Sequence, residues 1–151
     1  MTHFLGYMQH FWVKDSHHGH PQTVKHAWGT LSDYFHKRVH AGDTLWIVAT
    51  GGPRYPNEWR LLQVLEIEEM YYDPQDATPY CAKGSVEKSK VFYPDTQADL
   101  TPLLKKLEFA SGKRIEQHGR RIGLKLQSLR RLTDNDGALL QEYARGLPVC
   151  K

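Results

Sequence analysis

The stretch DSHHGHPQTVKHAWGT, residues 15–30, sets four histidines (His17, His18, His20 and His26) beside a tryptophan, Trp28. Imidazole is a good zinc ligand, and downstream His36 and His40 stand one helical turn apart, where two imidazoles can share an ion. The surroundings argue against a metal centre. Lys37 follows His36, so HExxH and its general-base glutamate are absent. Lys37 and Arg38 repel a cation, and the Gly and Pro of HHGHP suit a mobile turn more than a rigid cage of ligands. No metal or other cofactor is therefore expected, and the SHHGHPQ part reads as a polar loop. A small hydrolase or nuclease using these histidines is the competing reading.

Other catalytic patterns are missing too. The chain holds no GxSxG, and Ser16 beside His17 is only a sequence neighbour, whereas triads are assembled in space. GGPRYPNEW lacks the GK[ST] ending of a phosphate-binding loop. Cys81 has no activating pattern around it, and no carboxylate pair can be assigned to acid–base work. A binding module is expected rather than an enzyme.

Aromatic and basic residues carry the binding chemistry. Trp46 lies within an apolar strand and reads as core, as does Trp12; Trp59 opens a strand and reads as core or rim. Trp28 differs, because its neighbours Lys25, His26, Ala27, Gly29 and Thr30 are polar or small. A tryptophan in a polar loop is either a base-stacking platform or a lid over the end of a barrel. Charge is unevenly spread. Residues 1–100 carry 9 Lys and Arg against 12 Asp and Glu; the remainder carry 11 against 5. From 113 to 131 there are seven basic residues (Lys113, Arg114, Arg120, Arg121, Lys125, Arg130 and Arg131) and one acidic. Such a stripe is either a solvated face or the footprint of a phosphate backbone.

These residues need elements to hold them. HFLGYMQHFWV reads as a strand interrupted at Gly6, followed by a loop that includes Trp28. A helix is expected over 30–43, capped by Thr30 with Asp33 at its third position, and with Leu31, Tyr34, Phe35 and Val39 facing the core. The clearest hairpin pairs TLWIVAT (44–50) with 58–72, placing Leu62 and Val64 on one face and Leu61, Leu65 and Ile67 on the other. Residues 73–84 read as a loop and 85–93 as a strand. Thr101-Pro102 starts a helix, LEFAS begins a strand, and 113–123 is a basic loop. LKLQSLRRL (124–132) alternates like a strand. A last helix runs from Thr133, with Asp134 and Asp136 favourable to its dipole, and ends at Gly146. The reading is α+β: a small, mostly antiparallel β-barrel with short peripheral helices.

Length bounds the rest. At 151 residues the chain is expected to form one domain, 1–151, with a core large enough to need no disulfides. Two distant cysteines exclude a disulfide framework and fit a reducing, cytoplasmic setting. No apolar run approaches membrane-spanning length, and the N-terminus lacks the pattern of a secretory signal, so no membrane is expected among its partners.

The order of AWGT, a short helix, AGD, TLWIVAT, LLQVLEIEE with YYDP, and IGLKLQSLRRLT before an acidic-started helix resembles the PUA-like superfamily. The likeness is greatest to EVE-type members and weaker to YTH domains, and it spans roughly residues 1–145. It implies a small barrel that binds DNA or RNA and holds a base, such as a methylated one, in an aromatic pocket at the barrel mouth. By position, Trp28 matches the pocket tryptophan, with Trp46 and Trp59 as further walls and Thr30, Ser32 and Asp33 nearby. The family often places an asparagine shortly after that tryptophan. Here Ser32, Asp33 and Tyr34 stand instead, so Asp33 could accept from an exocyclic amine. The basic residues from Lys113 to Arg131 would hold phosphates. A protein-interaction module is a third reading.

Overall fold

The computed structural model describes residues 1–8, 26–51 and 54–150, with the backbone alone of 16–17, 20–21 and 95. The expectations about Trp12 and about the side chains of His17, His18 and His20 lie outside the described residues.

Strand β5 (Thr44–Gly51) and strand β6 (Tyr55–Tyr72) form the expected antiparallel hairpin. Their β-branched and aromatic residues suit a sheet buried on both faces, and β5 is almost wholly enclosed. β1 (His3–Tyr7) runs unbroken through Gly6 and pairs with β5 in parallel. β4 (Ala27–Thr30) pairs with β7 (Tyr80–Gly84), which pairs with the far half of β6. β8 (Lys90–Val91) joins the near half of β6, and β9 (Arg130–Arg131) joins β1. The resulting seven-stranded sheet has the order β4-β7-β6-β5-β1-β9 with β8 off the path; β2 (Ser16–His17) and β3 (His20–Pro21) form a separate ribbon. The fold is thus α+β and mostly antiparallel.

A closed barrel is not formed among the described residues, because the path ends at β4 and at β9. β4 also approaches β1 without a ladder between them, the Trp28 indole lying on the backbone of Gly6.

A β-bulge sets the two faces of the hairpin. Ile47 pairs with Gln63 and Val48 with Leu61, leaving Leu62 as the extra residue. The inserted residue reverses the alternation. Leu61 joins Val64, Trp46 and Trp59 in one core cluster, while Leu62 joins Leu65 and Ile67 in the other. The faces expected for Leu61 and Leu62 are therefore exchanged.

Four short helices lie around the sheet: α1 (Tyr34–Arg38), α2 (Thr101–Leu104), α3 (Ile122–Leu126) and α4 (Asp134–Arg145). α4 begins as expected, in a capping box. The Thr133 hydroxyl accepts from the Asp136 N–H at 3.0 Å, and the Asp136 carboxylate accepts from the Thr133 N–H at 3.0 Å. α1 is shorter than expected, because Thr30 ends β4 instead of capping the helix. Phe35 and Val39 are buried, but Leu31 and Tyr34 are exposed.

The strand expected at 124–132 is α3 followed by the two residues of β9. Ile122 and Leu126, four apart, are buried, and Leu124 between them is exposed, which is helical spacing. The loop expected at 73–84 contains β7, and the strand expected at 85–93 is reduced to β8. LEFAS forms no strand: Phe109 takes φ +52°, outside the extended region. No described helix is long and apolar enough to cross a membrane.

Candidate functional site

The open seam between β4 and β1 is occupied by a cavity of about 740 Å³. Four segments line it: the end of β1 with Met8, residues 28–32, 34 and 35 from β4 into α1, the β6–β7 turn at 76–78, and residues 126–129 from the end of α3 onward. The volume falls in the usual range for small-molecule and cofactor sites.

Two glycines allow these segments to meet. A Cβ on Gly6 would stand 3.0 Å from Trp28 Cζ2, so the bare backbone of β1 is the bed for the indole. A Cβ on Gly29 would fall 2.7 Å from both the carbonyl oxygen and Oγ1 of Thr78, so any side chain there would drive the turn away from β4. Trp28 is half-buried and meets Phe35 edge to face, with ring centroids 5.0 Å apart and planes at 87°. From the buried Gln63, Nε2–H donates to the Ala27 carbonyl at 3.1 Å and ties β4 to the middle of the sheet.

Polar groups ring the same space. The Thr30 hydroxyl accepts from the Ser32 N–H and the Ser32 hydroxyl from the Tyr34 N–H, each at 3.3 Å. These two Ser/Thr contacts shape the bend from β4 into α1. Across the cavity, Asp76 Oδ1 accepts from the Thr78 N–H at 3.0 Å and from its hydroxyl at 3.3 Å. The Cys81 thiol donates to the Thr78 carbonyl at 3.0 Å. Burial, and then the Asp76 carboxylate, push that thiol above its ordinary range. Cys81 thus braces the turn as a hydrogen-bond donor.

The residues expected at a base pocket divide into two groups. Trp28, Thr30 and Ser32 line the cavity, although Trp28 stands on a strand and not in a loop. Asp33 does not line it; its carboxylate pairs with Lys37 at 3.2 Å on the exposed side of α1. Trp46 and Trp59 do not line it either. Both are enclosed in the core cluster on the other face of the hairpin. Their indole N–H groups are used there, Trp46 donating to His3 Nδ1 at 3.1 Å and Trp59 to the Gly119 carbonyl at 2.9 Å.

The basic residues divide likewise. Lys125 and Arg130 immediately flank the 126–129 wall, and Arg130 Nε donates to the Lys125 carbonyl at 2.8 Å. Arg131 is exposed on β9, and Arg120 and Arg121 are exposed on the 3-10 turn that leads into α3. Lys113 and Arg114 lie further back in the chain, both exposed, and Arg114 pairs with Glu108 at 3.0 Å.

Sequence reasoning passed over Tyr7, Met8, Asp76, Thr78, Gln127 and Ser128, all of which line the cavity. Gly6 and Gly29 were the available signal, since a glycine inside a strand marks a close approach. Among the described residues no group of three or more His, Cys, Asp and Glu is placed to hold a metal ion. The chain matches no protein-family model and no curated protein.

Proposed function

We propose that this chain is a nucleic-acid-binding module that takes one base into the cavity beside Trp28, with the PUA-like, EVE-type arrangement as its structural plan. The observation that carries the reading is the cavity itself: a half-buried indole forms one wall, and Lys125 and Arg130 flank another. Every base has a face that can stack on an indole. The cations outside the cavity suit phosphates, whose contacts hold the strand without reading its sequence. The apolar side chains of Met8, Phe35 and Leu129 give a methyl substituent something to touch, which favours a modified base. The mode of action is capture, not turnover.

A fluorescence titration tests this. Trp46 and Trp59 are enclosed, so in a Trp12→Phe background quenching by ligand reports chiefly on Trp28. Matched single strands with and without a methylated or hydroxymethylated base are titrated into this protein, and Trp28→Ala, which lacks the reporter, is compared by the anisotropy of labelled strands. Binding is expected to weaken with salt, with a log–log slope of about −0.7 per contacted phosphate, to be tighter for the modified strand and to be weakened by the substitution. Equal affinity for modified and plain strands would remove the modified-base part. Affinity independent of salt would remove the nucleic-acid reading.

A further inference from the structure

We infer that Asp76 selects the base, accepting a hydrogen bond from an exocyclic amine; this rests on the reading of the cavity as a base pocket. Among the described residues that line the cavity, Asp76 is the one that carries a charge. The rest of the wall is aromatic, aliphatic or neutral polar, including Tyr7, Trp28, Thr30, Ser32 and Gln127. The carboxylate of Asp76, exposed at the cavity wall, disfavours anionic groups and favours a neutral group that brings a donor.

The geometry narrows the donor further. Asp76 Oδ1 already accepts two hydrogen bonds from Thr78. Those bonds hold the carboxylate in place, as does the close approach of Gly29 to Thr78. Oδ2 receives no hydrogen bond from the described residues. One free oxygen suits a single amine N–H, the group that cytosine presents at N4 and adenine at N6. Thymine and uracil present carbonyl oxygens at the corresponding position, and a carboxylate repels these. Selectivity therefore comes from an unfavourable contact with the wrong base as well as a favourable one with the right base. Sequence position had pointed to Asp33 for this task, but Asp33 faces Lys37 outside the cavity.

The test compares two single strands of equal length in a thymine-only background, one with a central cytosine and one without. Anisotropy of the labelled strands is measured on wild type, Asp76→Asn and Asp33→Asn. Wild type is expected to prefer the cytosine strand by about tenfold, the size of one charge-assisted hydrogen bond. Asp76→Asn is expected to bring the two affinities together while leaving salt-dependent binding, and Asp33→Asn is expected to keep the preference. Asparagine retains an acceptor for Thr78, and an unchanged circular dichroism spectrum checks that the turn and fold persist. A preference that survives Asp76→Asn, or a wild type that binds both strands equally, overturns this inference and leaves the nucleic-acid reading standing. Absence of binding to either strand overturns both.

Discussion

Gly6 and Trp28 are in van der Waals contact across the seam between β1 and β4, with no space between them for a methyl group. A Cβ on Gly6 would lie 3.0 Å from Cζ2 and 3.2 Å from Cη2 of the indole, and 3.3 Å from Ile47 Cδ1. Gly6→Ala is expected to lift the ring and cost about 1–2 kcal/mol, a typical penalty for overpacking. Urea unfolding measures the cost. Tryptophan emission should move to longer wavelength as the indole is pushed toward solvent.

Gly137 reverses a familiar rule. Alanine normally stabilises the interior of a helix by about 1 kcal/mol relative to glycine. At position 137 of α4, however, a Cβ would fall 2.7 Å from His3 Cδ2. His3 cannot turn away freely, because its Nδ1 accepts from Trp46 Nε1 and its ring is buried. Gly137→Ala is expected to lower stability by about 1–3 kcal/mol. A thermal unfolding midpoint above that of wild type would refute it.

Asp136 organises more than its own helix. Besides capping α4, its carboxylate accepts from the N–H groups of Glu108 and Phe109 at 2.9 and 3.0 Å. Phe109 is buried in the left-handed region, so these bonds hold a conformation that the backbone alone disfavours. Asp136→Ala leaves three N–H groups without this acceptor and is expected to cost about 3 kcal/mol or more. Asp136→Asn keeps part of the network and should fall between. Equilibrium denaturation of both variants gives the comparison.

Stability should also depend on Asp99 in acid. Burial alone would raise its carboxyl. The N–H groups of Trp59 and Thr101, the Thr101 hydroxyl and nearby Arg60 outweigh that effect and hold it below the ordinary carboxylate range. A carboxyl lowered in the folded state contributes stability that is present above its unfolded value, about 3.9, and is lost as pH falls through the folded value. The urea midpoint of wild type should therefore drop below about pH 4, and Asp99→Asn should flatten that part of the profile. Parallel profiles would show that Asp99 is not responsible.

The hairpin of β5 and β6 was legible because long apolar alternation has few other solutions. The bulge was not, since Leu61 and Leu62 are the same residue type and nothing local marks which one is inserted. α3 was misread because Leu124, Leu126 and the residues between them alternate as a strand would; burial of Ile122 with Leu126 is what reveals the helix. β7 was missed because YCAKG is short and gains its order from pairing with two neighbours. At the cavity, Trp28 stands out by local composition, whereas the family resemblance offers Thr30 and Ser32, which line the cavity, on the same footing as Trp46, Trp59 and Asp33, which do not. Only the placement of the chain separates a tryptophan on a cavity wall from one enclosed in the core. Asp76 comes from a distant turn, and no spacing within the sequence joins it to Trp28.

β1 sits between β5 and β9, pairing with residues 44–48 on one side and 130–131 on the other. β1 can complete its pairing only after residues 8–129 have been made. Long-range closure of this kind slows folding. Until it happens, one edge of β1 remains open to pairing with another strand. For a nascent chain, that interval is when a chaperone would matter most.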